Sequence, residues 1–229
     1  MDQQSTSNAQ EVIRLDGPRF IVVEGPIGVG KTSLARRLAE SLAGELILEQ
    51  AEENPFLERF YKNRRNAALP AQLFFLLQRA RQLEQLRERD MFSPVRIADF
   101  LLQKDELFAG LNLDPNELGL YKQVAESLEL DPPTPDLVVY LQAPASVLMR
   151  RVAMRGIAYE QLIDQEYLER LGDAYARFFY DFDEAPLLIV NAASIDPVSN
   201  QADYDELLAA IQRMKRGRLY YNPLRHRAL

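Results

Sequence analysis

The segment Gly25-Pro26-Ile27-Gly28-Val29-Gly30-Lys31-Thr32 follows the pattern G-x-x-x-x-G-K-[ST]. Glycines at these spacings let the backbone form a tight cradle whose N–H groups point at an anion. Before it, Arg19-Phe20-Ile21-Val22-Val23-Glu24 is an apolar run that suits a strand buried on both faces. After it, Lys31 to Ala43 carries Leu34, Leu38 and Leu42 four residues apart and stops at Gly44, which predicts a helix. Strand, glycine turn and helix N-terminus together make a phosphate site. Gly25, Gly28, Val29, Gly30, Lys31, Thr32 and Ser33 are therefore expected to bind nucleotide phosphates. Lys31 would reach the β- and γ-phosphates, and the Thr32 hydroxyl would coordinate Mg²⁺. Chance produces the pattern in roughly one chain in a hundred of this length, before its context is counted. Switch GTPases, motor ATPases and small-molecule kinases all use such a loop, so other residues must name the reaction.

The rest of the chain alternates strands with helices. Glu45 to Glu49 is a second strand, Val95 to Ala98 a third that ends at Asp99, Asp136 to Gln142 a fourth and Pro186 to Asn191 the last. Asn54-Pro55 opens a helix through roughly Asn66, and Pro70 to about Arg89 is a long helix with a broad apolar stripe. Further helices are expected over about 101–110, 115–129, from Pro144 to near Arg155, Asp164 to Glu184, and Tyr204 to Lys215. This order predicts an α/β protein of the P-loop NTPase type, a three-layer α/β/α stack. Its parallel sheet has about five strands, with helices on both faces. Residues 1–17 are polar and aperiodic and read as a flexible tail; 18–215 form the domain, and 216–229 a basic C-terminal tail.

Composition narrows the chemistry. Across 229 residues, 27 Lys and Arg face 34 Asp and Glu, a net charge of −7, which disfavours bulk binding to nucleic acid polymers or anionic membranes. The absence of Cys removes thiolate catalysis and Cys-ligated zinc, and His226 as the single His makes a Ser-His-Asp hydrolase improbable. No apolar run approaches the length of a membrane span, and the N-terminus lacks a signal peptide's basic and apolar regions, so a cytoplasmic protein is expected.

An ordered set of residues resembles the deoxynucleoside kinase family, in particular its bacterial deoxyadenosine/deoxyguanosine kinase branch. The set is Glu24 to Leu34 around the loop, Glu49 followed by Glu53-Asn54-Pro55-Phe56-Leu57, then Tyr61, Gln72, Arg79, Asp99, Arg151 to Gly156, Glu160 and Tyr167-Leu168-Glu169. The resemblance covers about residues 18–215, with a lid at about 150–160. It implies ATP-dependent phosphorylation of the 5′-hydroxyl of a deoxynucleoside, with Mg²⁺ as the ion and a homodimer packed through its long helices. Glu49 matches the family's base, a role that needs a carboxylate to orient the hydroxyl. Gln72 matches a group that pairs with the base edge, Arg79 on the same helical face either reads the base or stabilises the site's carboxylates, and Asp105, with a spacing uncertain by one residue, matches a base-reading Asp. Tyr61 and Glu160 match groups that bind the sugar 3′-OH. Asp99 matches an acidic residue at the Mg²⁺ site. Arg151 and Arg155, with Lys31, would neutralise the transferred phosphoryl group.

Two departures stand out. Many relatives have Arg directly after the acidic residue, where this chain has Phe100; many carry R-G-R in the lid, where Arg155-Gly156 is followed by Ile157. Arg150 or the tail arginines Arg216, Arg218, Arg225 and Arg227 are candidate replacements for the lost charge. These departures keep open a nucleotide-binding or structural relative that has lost turnover. A nucleoside monophosphate kinase is the alternative enzyme, but its site would carry more cations to hold an acceptor phosphate.

Overall fold

The computed structural model describes residues 18–87 and 95–223. Among them, β1 (Phe20–Glu24), α1 (Lys31–Ser41), β2 (Glu45–Ile47), α2 (Leu57–Lys62) and α3 (Arg64–Arg87) form the first half. β3 (Arg96–Ala98), α4 (Lys104–Asn112), α5 (Pro115–Ser127), β4 (Leu137–Gln142) and α6 (Ala145–Arg155) follow, then α7 (Gln165–Asp181), β5 (Leu187–Asn191), α8 (Gln201–Arg213) and β6 (Arg218–Tyr221). The strands form one sheet in the order β2-β3-β1-β4-β5-β6, parallel throughout.

All five residues of β1 are buried, as are Leu137 to Leu141 of β4, which is what a central strand covered by helices on both faces requires. β1 lies between β3 and β4. Chain crossovers diverge at that point, and α/β sheets form their ligand crevices there, beyond the strands' C-terminal ends. One side of the sheet's core is closed by aromatic rings: Tyr140 of β4 stacks on Phe179 of α7 at 4.2 Å between centroids, beside Tyr175. Asp136 accepts from the backbone N–H groups of Arg19 and Phe20 at 2.9 and 2.8 Å and ties the start of β1 to the approach of β4.

Three expectations are corrected. The sheet has six strands among the described residues, because part of the supposed basic tail is β6, whose Ile189↔Tyr220 pairing extends the sheet past β5. Its sequence gives no buried-strand signal, since it is an edge strand with Leu219 and Tyr220 exposed. Pro70 does not open the long helix; it lies inside α3, which begins at Arg64. Burial of Ala67, Ala68 and Ala71 on the same stretch compensates for the backbone bond that Pro removes. β2 stops at Ile47, so Glu49 stands two residues beyond the strand and not at its end. The N-terminal tail, residues 224–229 with Arg225, His226 and Arg227, and the end of the helix expected to about Arg89 fall outside the described residues. No helix among the described residues is long and apolar enough to cross a membrane.

Candidate active site

The glycine loop leaves β1 and enters α1 with positive φ at Gly25 (149°), Gly28 (81°) and Gly30 (107°). Two of these positions also lack room. A Cβ on Gly25 would lie 2.3 Å from the Leu141 carbonyl oxygen, and one on Gly28 would lie 2.8 Å from Val152 Cγ2 and 3.0 Å from the Leu148 oxygen. The loop is therefore packed directly against β4 and α6. Lys31 curls over it, donating from Nζ to the carbonyl oxygens of Gly25 (2.8 Å) and Pro26 (3.3 Å). Burial, together with the nearby Lys104 ammonium, pushes the Lys31 ammonium below its ordinary value, and an incoming phosphate would relieve both.

Beside the loop, Thr32 Oγ1 donates to Asp99 Oδ2 at 2.5 Å, and the Glu49 N–H donates to Asp99 Oδ1 at 2.7 Å. Asp99 thus joins the loop's hydroxyl to the segment that carries Glu49. The Glu49 side chain is paired with Arg79 and accepts from Lys104 Nζ at 3.0 Å. Burial alone would raise its carboxyl, but Lys104, Arg79 and Lys31 outweigh it and hold the group at about 2. Glu49 is therefore an anion at any working pH. Gln78 and Gln82 of α3 donate to the Gln50 and Leu48 carbonyls at 3.2 and 2.9 Å, fixing the backbone on either side of it.

Lys31, Thr32, Glu49, Arg79, Asp99 and Lys104 line a cavity of about 670 Å³, which also gathers Tyr61, Gln72, Asp105, Tyr159 and Glu160. Such a volume suits one small organic ligand. Gln72 is buried in its wall. Asp105 pairs with Arg79 and retains one oxygen without a partner, so the residue whose register was uncertain does face the site. The Tyr61 ring stacks on Tyr159 at 6.0 Å with a 6° interplanar angle, and burial raises its hydroxyl well above the ordinary value. Arg155, the last residue of α6, forms a bidentate pair with Glu160 across the turn that follows the helix.

A second cavity of about 600 Å³ opens on the other side of the loop, between α6 and the segment after β5. Gly28, Lys31, Thr32, Ser33 and Arg155 border both cavities. Arg151 is found here and not at Glu49: its guanidinium donates to the carbonyls of Val29 (2.9 Å) and Ala192 (2.7 Å). Among the other candidate replacement cations, Arg150 borders this second cavity, whereas Arg218 is spent on the carbonyls of Tyr180 and Phe182 at 2.9 and 3.0 Å. Ile157 lines the first cavity, and Phe100 is buried in the core.

Two charged residues at the site were given no role from the sequence, although Glu24 opens the run that resembles the family's loop motif. Glu24, fully buried, accepts from the N–H groups of Gly25 and Leu101 at 2.8 Å each and from the Tyr175 hydroxyl at 2.9 Å, with Lys104 Nζ at 3.7 Å. Its only other signal was that of a lone acid ending the apolar run of β1. Lys104 had none beyond its place at the start of a helix.

A phosphate loop flanked by two cavities, one containing an ionised and held carboxylate, defines a P-loop small-molecule kinase. Residues 21–215 match the deoxynucleoside kinase family profile. The chain is 34% identical to a deoxyguanosine kinase of Bacillus subtilis over 85% of this chain and 97% of that one. It is 28% identical to a deoxyadenosine kinase of Lactobacillus acidophilus over 86% and 97%. A solved deoxyadenosine kinase from M. mycoides, with the products dCMP and a flexible dCDP bound, superposes with a TM-score of 0.74 at 26% identity, covering 85% of this chain and all of that one. The same kinase with bound dATP gives 0.72. The chain belongs to the deoxynucleoside kinase family, and its activity is ATP-dependent phosphorylation of a deoxynucleoside.

Proposed function

We propose that the first cavity takes a purine deoxynucleoside and the second the ATP base and ribose, with Glu49 orienting the acceptor's 5′-hydroxyl. The observation that carries this reading is the ionised Glu49 carboxylate fixed beside Lys31, Thr32 and Asp99. Glu49 accepts a hydrogen bond from the hydroxyl and takes its proton as the bond to phosphorus forms. In a loose phosphoryl-transfer transition state, orientation counts for more than basicity, so a strongly acidic carboxyl is no handicap. Lys31 leaves the loop carbonyls for the β- and γ-phosphates. Arg155 turns from Glu160 to the transferred phosphoryl group, and Arg151 braces the loop on the ATP side. Gln72, Arg79 and Asp105 read the base edge, while Tyr61 and Glu160 hold the deoxyribose. The purine preference is supported by the deoxyguanosine and deoxyadenosine kinases named above.

The Thr32 hydroxyl and the Asp99 carboxylate, 2.5 Å apart and both oxygen donors, fit Mg²⁺, and they are the residues that would hold it. Bound there, the ion would neutralise charge between the β- and γ-phosphates. A cytoplasmic homodimer completes the proposal. Exposed Leu77 of α3 and Leu120 of α5 support a contact between copies.

ADP release from ATP and Mg²⁺ should be measured against four deoxynucleosides and their monophosphates. Turnover on deoxyadenosine or deoxyguanosine is expected. Turnover on monophosphates alone would reassign the acceptor, and exclusive use of pyrimidines would overturn the purine reading.

A further inference from the structure

Among the described residues, Lys104 lies against two carboxylates at the head of the sheet, the fully buried Glu24 and the partly buried Glu49. It stands in the first turn of α4, its side chain 4% exposed, with Nζ 3.0 Å from Glu49 Oε2 and 3.7 Å from Glu24 Oε2. A desolvated ammonium is retained only where anions offset its burial. Glu24 does not need it for hydrogen bonding: its oxygens already accept from two backbone N–H groups and the Tyr175 hydroxyl. Glu49 does, because its other side-chain partner, Arg79, is shared with Asp105 and would be drawn on by a nucleobase. Phe100, directly after Asp99 in the chain, carries no charge, and its ring packs into the core. Lys104 therefore supplies from the following helix a positive charge at the carboxylate.

We propose that Lys104 is the positioning residue of Glu49: it fixes the carboxylate oxygen Oε2 so that Oε1 faces the acceptor hydroxyl once Arg79 turns to the base. This rests on Glu49 as the hydroxyl-orienting group. The charged groups surrounding Glu49 are Lys31 from α1, Arg79 from α3, Lys104 and Asp105 from α4, Asp99 after β3 and Glu24 from β1.

The test is a double-mutant cycle in kcat with Lys104→Met, Glu49→Gln and the pair, in the full-length protein. Lys104→Met should lower kcat about 10²-fold, the scale of a misplaced reacting group. KM for ATP should be unchanged. In the Glu49→Gln background the same substitution should change kcat no further, since a residue acting through Glu49 has nothing left to position. Equal losses in both backgrounds would overturn the proposal and reduce Lys104 to a counter-ion of Glu24. So would wild-type kcat in Lys104→Met. Should Lys104→Met fail to fold, Lys104→Leu, which also lacks a donor, carries the same cycle with the same outcomes. A fully active Glu49→Gln would instead sink the base assignment, an outcome distinct from failure of the Lys104 assignment.

Discussion

Glu49→Gln should flatten part of the acid dependence of folding. The wild-type carboxyl is held at about 2 in the folded protein against an ordinary value of 4.5. Because the folded value is the lower one, ionised Glu49 stabilises the fold above about pH 4.5, and the stabilisation is lost as pH falls toward 2. At about 1.4 kcal/mol per pH unit, the shift corresponds to about 3 kcal/mol, of which about 2 kcal/mol is gone at pH 3. Gln keeps the shape and can still accept from Lys104 and Arg79, but it has no charge to titrate. The neighbouring side chains Asp99, Asp105 and Glu24 are the same in both proteins, so the comparison isolates the charge at position 49 to first order. Urea unfolding at pH 6 and pH 3 measures it. The wild-type advantage over Glu49→Gln should shrink by about 2 kcal/mol between the two, with equal m-values. An advantage that stays constant, or that grows as pH falls, would refute the cation cage around Glu49.

Other expectations follow from single contacts. Asp99→Ala removes the acceptor of both the Thr32 hydroxyl and the Glu49 N–H, and should cost about 10²-fold in kcat, with weaker Mg²⁺ dependence in a metal titration. Gly25→Ala sets a Cβ 2.3 Å from a backbone oxygen at φ 149°; ATP binding by calorimetry should be lost and the melting temperature lowered. Arg155→Ala should lower kcat by about 10³-fold while nucleoside binding persists, read from single-turnover and equilibrium measurements side by side. Gln72→Ala should raise nucleoside KM about tenfold, one hydrogen bond's worth, with kcat for ATP-saturated enzyme little changed.

The parts legible in the sequence were those encoded locally. The loop announces itself through glycine spacing and Lys31-Thr32, and β1 and β4 through apolar runs that only a doubly covered strand carries. Asp99 was found through the resemblance, which sets an acidic residue after the third strand, and the structure joins it to the Thr32 hydroxyl. Glu24 and Lys104 were missed because their partners are remote: Leu101 is 77 residues from Glu24, and Glu49 is 55 from Lys104. No spacing rule announces a cation that reaches its anion only after α4 docks on the sheet. β6 was missed for a different reason. An edge strand needs neither alternation nor burial on both faces, and Arg218-Leu219-Tyr220-Tyr221 amid arginines has neither. Arg151 and Arg155 looked equivalent on one helix, but four residues of rise set Arg151 against the loop carbonyls and Arg155 at the turn that follows the helix.

The most direct test is the turnover of Glu49→Gln on the preferred deoxynucleoside, with ATP affinity measured on the same preparation. A fall in kcat of about 10²- to 10⁴-fold with wild-type ATP binding is expected of a carboxylate that orients and deprotonates the acceptor. Turnover within tenfold of wild type would contradict it and leave Glu49 as one more counter-ion in a charged pocket.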